Sequence, residues 1–267
     1  MFDLTLPNVR KLFIPDEGYT IFEVDLKGAD AQVVAWDSGD ELLKKAFREG
    51  LDVHAFNADT MDEPDWRAVR GLPKDDPKRR AVRDAYKSAI HGTNYLGSPK
   101  AIAHHPRVRW TVHRAEQFQR KWFSLHPAIK LWHKRVEADL LTTRTVKNAF
   151  GYRRIFFDRI EQCLTNAIAW VPQSSVAINC FQGALAIRRA QKAGAFDLDL
   201  QFLLQIHDSL VGQVPTSKLH LLTQMKPLLH VVTPYDDPLI IPWDLKTSSK
   251  SWGDCKSTSW DSLPLAA

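Results

Sequence analysis

Arg83, Lys87, His91 and Tyr95 recur every four residues within RRAVRDAYKSAIHGTNYLG, so on a helix two cations, an imidazole and a phenol share one slowly drifting stripe. Such a stripe can read a nucleotide along its length. Cations pair with phosphate oxygens, and flat rings pack against a sugar or a base. A solvated basic helix face carries the same residue types, and on this segment alone the two readings stand level. Asp25 and Asp208 change the balance. Each closes a strongly apolar run, TIFEVDL and LQFLLQIHD, where a carboxylate is costly unless it binds something positive. Two strand-end aspartates in one sheet can hold a pair of magnesium ions, because hard divalent cations prefer carboxylate oxygen. Two such ions clamp the attacking and leaving oxygens of an in-line phosphoryl transfer. For either aspartate taken singly, an ordinary turn residue is the commoner case.

These side chains need elements to position them. TIFEVDL, residues 20–26, reads as a buried strand that delivers Asp25 near its end. Residues 29–36 and 40–49 read as helices, the second capped by the Ser38-Gly39-Asp40 turn and stopped at Gly50. Pro73 and Pro77 bracket the start of the ladder helix, where proline is tolerated. Residues 111–140 are a long helical stretch interrupted at Pro127, and TTRTVKNAF and YRRIFF suggest two strands around Gly151. Residues 173–193 read as a helix ending before Gly194. LQFLLQIH and SLVGQVP read as a hairpin with His207 and Asp208 at its tip, and residues 247–262 read as surface coil.

A chain of 267 residues with 44% hydrophobic composition can bury a real core. It contains no run of 18 apolar residues, and MFDLTLPNVRKLF lacks the apolar centre of a signal peptide, which points to a cytosolic protein with no membrane association. Cys163, Cys180 and Cys255 are in no paired metal spacing and read as reduced thiols. The net charge of +5 hides an uneven distribution. From Lys74 to Arg154 there are 19 Lys and Arg against 6 Asp and Glu, while the remainder holds 17 against 25. A basic central region carrying six of the ten histidines is the footprint expected of a polyanion binder.

The order VDLKGADAQVVA, RDAYKSAIHGTNYLG, QIHDSLV resembles the three polymerase motifs of family A DNA polymerases, the group of bacterial DNA polymerase I and many phage replicases. RKLFIPDEGY before the first motif, SGDELLKKAFREGLDVH after it, VPQSS between the second and third, and the closing IPWDLKTSSKSWGD extend the resemblance over nearly the whole chain. It implies an α+β fold in which an antiparallel palm sheet carries the catalytic aspartates and a mostly helical fingers subdomain is inserted. Residues 1–40 would be the first part of the palm, 41–143 the fingers, and 144–267 the second part of the palm with the His-Asp hairpin. The thumb and exonuclease domains are expected to be absent: either a second polypeptide of a split polymerase supplies them, or the chain is a fragment or the product of a decayed gene.

The resemblance also implies roles. Asp25 and Asp208 match the two metal-binding aspartates and the carbonyl of Leu26 a backbone ligand, for two Mg²⁺ ions, with Mn²⁺ as a substitute. Arg83, Lys87 and His54 match contacts to the incoming triphosphate, Lys87 being also placed to protonate the leaving group. His91 falls where a larger ring usually stacks near the sugar, Tyr95 matches the tyrosine by the templating base, and Asp30 stands where most members carry a Glu that excludes ribonucleotides. His207, Gln173, Arg153 and Arg154 match groups on the primer and template. The implied partners are primer-template DNA and deoxynucleoside triphosphates. Ser209 follows Asp208 where bacterial members often have Glu, and HDS also occurs in single-subunit RNA polymerases. A fragment of such an enzyme is therefore a rival, opposed by Asp30. A catalytically inactive nucleic-acid-binding subunit is a second rival, and a metal hydrolase built on His104 and His105 a third.

Overall fold

The computed structural model describes residues 8–195 and 199–263. In chain order its principal elements are β1 (Tyr19–Leu26), α1 (Ala29–Ser38), α2 (Glu41–Arg48), α3 (Val53–Thr60), α4 (Pro64–Val69), α5 (Pro77–Asn94), α6 (Pro99–Ala103), α7 (Val112–Leu125) and α8 (Pro127–Thr143). There follow β2 (Thr145–Lys147), β3 (Arg153–Ile155), α9 (Ile160–Lys192), β4 (Gln201–Ile206), β5 (Ser209–Pro215), α10 (Leu221–Met225), β6 (Val232–Thr233), β7 (Leu239–Ile240), β8 (Trp243–Ser248) and β9 (Lys256–Thr258). The chain forms two units. One comprises the segment ending at Ala29, Val176–Pro234 and the segment from Pro238 onward; the other comprises Asp30–Ser175 with Tyr235–Asp237. The boundary falls inside α9.

The first unit is built on a five-stranded antiparallel sheet in the order β4-β5-β1-β8-β9. β1 is central because its apolar residues, Ile21, Phe22, Val24 and Leu26, are buried on both faces. On one face Ile21 packs with Val211 and Trp252. On the other Phe22 meets Phe202 edge to face, 6.0 Å between ring centroids. Gly212, opposite Phe22 in the register, is where β4, β5 and β1 approach most tightly. The residues after 247 do not run as coil. Trp252 donates its indole N–H to Glu23 and Trp260 to the Trp243 carbonyl, and these anchors let Lys256–Thr258 pair with β8 as an edge strand.

The second unit is helical, with the β2–β3 hairpin appended. Its core gathers Tyr86, Phe118, Trp122, Ile129, Trp132 and Leu140. Capping explains where its helices begin. The side chains of Asp40, Asp52, Asp76, Ser98 and Thr111 accept first-turn N–H groups of α2, α3, α5, α6 and α7, and Pro77 occupies the first position of α5. α9 starts 13 residues before the expected Gln173 and carries Pro172 inside it. Proline costs one hydrogen bond there. The helix continues through it because Cys163, Ala167, Val171 and Ser175, four apart, are all buried and keep one stripe packed.

Candidate active site

In the first unit, β1 brings Asp25 to its penultimate position, paired across the sheet with Ser209 on β5 and Asp244 on β8. The two-residue turn between β4 and β5 puts Asp208 beside it. His207 takes the left-handed conformation that such a turn needs, at φ 52°, and its carbonyl accepts from Gln205 Nε2 at 2.8 Å. The Leu26 N–H donates to the Asp208 carbonyl at 2.9 Å, locking the turn to the end of β1. Burial, then the charge of Asp208, pushes the Asp25 carboxyl up to about 6, against the opposing pull of Lys246. Lys246 Nζ lies 3.4 Å from Asp25 Oδ2 and 3.6 Å from Glu23 Oε1. Cys180 is fully buried near the pair, and burial, reinforced by the charges of Asp208 and Asp25, pushes its thiol up to about 12. Two neighbouring carboxylates in a half-buried place, the charge of Asp208 adding to the cost of ionising Asp25, form a hard-oxygen donor set suited to a divalent cation. Among the described residues no group of three or more His, Cys, Asp or Glu side chains is assembled around a metal position. His104 and His105 are exposed, and their Nδ1 atoms face the Lys100 carbonyl and the Arg107 N–H.

In the second unit the ladder is assembled around α5. Arg83 Nε donates to Asp52 Oδ2, and its Nη1 lies 3.4 Å from Asp84. Asp52 in turn caps α3 through Oδ1, 3.1 Å from the His54 N–H, so one carboxylate fixes both the arginine and the histidine. His54 is buried, and its Nδ1 has no hydrogen-bond partner among the described residues. Burial, then Arg83, with Lys87 and His91 adding, pushes the His54 imidazole down to about 4 although Asp52 opposes. Among the described residues no carboxylate lies within ion-pair distance of Lys87. An orphaned buried nitrogen among cations, one ammonium unpaired, is a place prepared for an anion.

Tyr95 is the first residue past α5 rather than its last, yet its N–H still donates to the His91 carbonyl at 3.2 Å and the stripe continues. Its ring is 8% exposed and meets His91 edge to face at 4.4 Å. Burial, with the neighbouring Asp30 carboxylate, holds its phenol strongly protonated. His91 is pulled below the usual imidazole range by burial, with Asp30 opposing and Lys87 and His105 adding. Asp30 thus lies against the His91–Tyr95 end of the ladder. Gln173 is exposed on α9, and Arg153 and Arg154 are exposed on β3. Glu23, Lys246 and Asp52 were not found from sequence. Only Asp52 left a signal, as an N-cap type directly before an apolar helical run.

The model of DNA polymerase family A matches residues 5–252 of the chain. The thermostable DNA polymerase I of Thermus filiformis is 27% identical over 257 residues, which cover 93% of this chain and 29% of that protein. The DNA polymerase of Mycobacterium phage D29 is 26% identical over 256 residues, 93% of this chain and 38% of that protein. Among solved structures, the POL domain of Pol1 from M. smegmatis, in complex with DNA primer-template and dNTP, has a similar fold. Its TM-score is 0.73 at 22% identity, over 92% of this chain and 42% of that one. The chain spans less than half the length of each of these proteins.

Proposed function

The chain belongs to DNA polymerase family A, and from that membership we propose that it is the catalytic core of a template-directed DNA polymerase, adding deoxynucleotides to a primer 3′ end. The carrying observation is the pairing of Asp25 with Asp208 at the end of β1, where Asp208's charge adds to burial in lifting the Asp25 carboxyl to about 6. That pair would hold the metal ions, with the Leu26 carbonyl as a further oxygen. Magnesium bound there would ease deprotonation of the primer hydroxyl and neutralise charge developing on the phosphates. In this reading the primer 3′-hydroxyl attacks the α-phosphate of a template-paired nucleotide, and pyrophosphate leaves.

The remaining side chains bind and orient. Arg83 and Lys87 take the triphosphate as cations. His54, neutral at pH 7, takes it as a hydrogen-bond donor. Lys87, the ladder cation without a carboxylate partner among the described residues, gives its proton to the departing pyrophosphate. Asp30 bounds the sugar edge, and its proximity to His91 and Tyr95 supports placing all three around the nucleoside, with Tyr95 next to the templating base. His207, Gln173, Arg153 and Arg154 would contact primer and template. The sheet unit would act as palm and the helical unit as fingers. No helix among the described residues is long and apolar enough to cross a membrane.

Asp208→Ala should reduce magnesium-dependent primer extension by at least about a thousandfold, with folding and primer-template affinity retained. Extension at near wild-type rate by a folded Asp208→Ala protein would overturn the reading. Supplying ribonucleotides in the same assay tests the RNA polymerase alternative, which requires them to be used as well as deoxynucleotides.

A further inference from the structure

Lys246 stands where a cation is already present in a site meant for cations. It lies on β8 directly opposite Glu23 of β1, and Asp25 is two residues further along the same face, so one ammonium serves two carboxylates, at 3.6 and 3.4 Å. The oxygen it touches on Asp25 is Oδ2. A divalent ion ligated by Asp25 would come within a few ångströms of that ammonium, and two like charges in a half-buried place repel strongly. Lys246 and the metal therefore compete for one carboxylate. Glu23 differs from Asp25 in being fixed. It is buried, accepts from Trp252 Nε1 at 3.1 Å, and has Arg10 Nη1 at 4.0 Å. Lys246, with a side chain 29% exposed, can leave Asp25 and remain on Glu23 with only a small movement.

We propose that Lys246 is a resident counter-cation of the metal site, neutralising Asp25 while the metal is away and handing over to Glu23 when it binds. This rests on the metal-binding reading of Asp25 and Asp208. It makes metal affinity depend on a residue that need not touch the metal. The cost of displacing Lys246 weakens binding, and Glu23 recovers part of that cost. Lys246 is a positioning residue for Asp25 in the metal-free protein, sparing the strand end an uncompensated carboxylate beside Asp244.

The test is Mn²⁺ binding to the full chain, without DNA or nucleotide, followed by the electron paramagnetic resonance of free Mn²⁺. Lys246→Met should tighten binding on the order of tenfold. Glu23→Gln should weaken it several-fold, and most of that loss should vanish when Lys246→Met is already present, because the handover then has nothing to move. Unchanged or weaker binding by Lys246→Met overturns the proposal, as does an equal Glu23→Gln loss in both backgrounds, which would be a plain field effect. Lys246 is partly exposed, so its variant is expected to fold even where Glu23→Gln does not, and its result alone suffices. Asp208→Ala tests the underlying reading separately. Mn²⁺ binding that survives it, or binding absent from wild type and from Lys246→Met alike, refutes the metal site itself.

Discussion

A carboxyl group that holds its proton more tightly in the fold than in the unfolded chain penalises the fold once it ionises. Asp25 is such a group, at about 6, chiefly from burial and then from Asp208. Below about pH 4 it is protonated in both states and costs nothing; the stability it leaves intact is lost as pH rises through 6. Two pH units correspond to about 3 kcal/mol, which partial exposure of the side chain, 31%, reduces to about 1–2 kcal/mol. Asp25→Asn should therefore raise the melting temperature of the metal-free protein at pH 7.5 and leave it nearly unchanged at pH 4, as differential scanning calorimetry would show. An equal gain at both pH values would mean repacking instead. His54 acts with the opposite sign, since its imidazole is held neutral down to about 4 and its contribution is lost as pH falls below the ordinary histidine range. The sequence displayed Asp25 and Asp208 because each ends an apolar strand. It concealed Lys246, which reaches Asp25 across 221 positions through a strand pairing that no local pattern encodes.

At the scale of elements, the hairpin that carries Asp208 depends on a strand residue with no side chain. A Cβ at Gly212 would lie 2.3 Å from the Gln201 carbonyl oxygen and 2.3 Å from Cζ of Phe22. The oxygen belongs to the paired strand β4 and the ring to the buried face of β1, so neither can withdraw without opening the sheet. Gly212→Ala should destabilise the protein by about 3 kcal/mol, read from urea unfolding, and should loosen the junction of β1 with the His207-Asp208 turn. A variant of wild-type stability would show the sheet to be more yielding than its register implies. A glycine inside SLVGQVP signals close approach of another backbone, but only the structure shows which one. The same limit governs α9. Proline is a sound stop signal in isolation, and Pro172 fails as one because buried residues on both sides hold the stripe in place. The ladder was more legible, since a four-residue spacing fixes a helical face wherever the helix packs. At its end Tyr95 caps α5 and turns inward.

For the whole molecule, the 19 cations against 6 carboxylates between Lys74 and Arg154 overstate the charge open to DNA. Arg114 is 2.8 Å from Asp65, donates to the Tyr86 hydroxyl and lies over the Trp110 ring at 4.3 Å. Lys121 is 2.8 Å from Glu63, and Arg83 is held by Asp52. Arg153 and Arg154, on the exposed hairpin strand β3, have no carboxylate within ion-pair distance among the described residues. Arginines of equal formal charge should therefore differ in what they give to a polyanion. Each phosphate neutralised releases counterions and adds close to one unit to the slope of log affinity against log salt concentration. Arg153→Ala with Arg154→Ala should lower that slope for primer-template binding by about two, while stability falls by no more than the roughly 0.5–1 kcal/mol of the exposed contact of Arg154 with the Phe156 ring, 4.8 Å to its centroid. Arg114→Ala should do the reverse, holding the slope while lowering stability by about 1–2 kcal/mol, because it empties a cation–π and ion-pair position inside the helical unit. Fluorescence anisotropy across a salt series, paired with thermal unfolding of each variant, separates the two behaviours. If all three arginines shift the slope alike, the local pairing seen here does not govern DNA binding, and the formal charge of the basic region does.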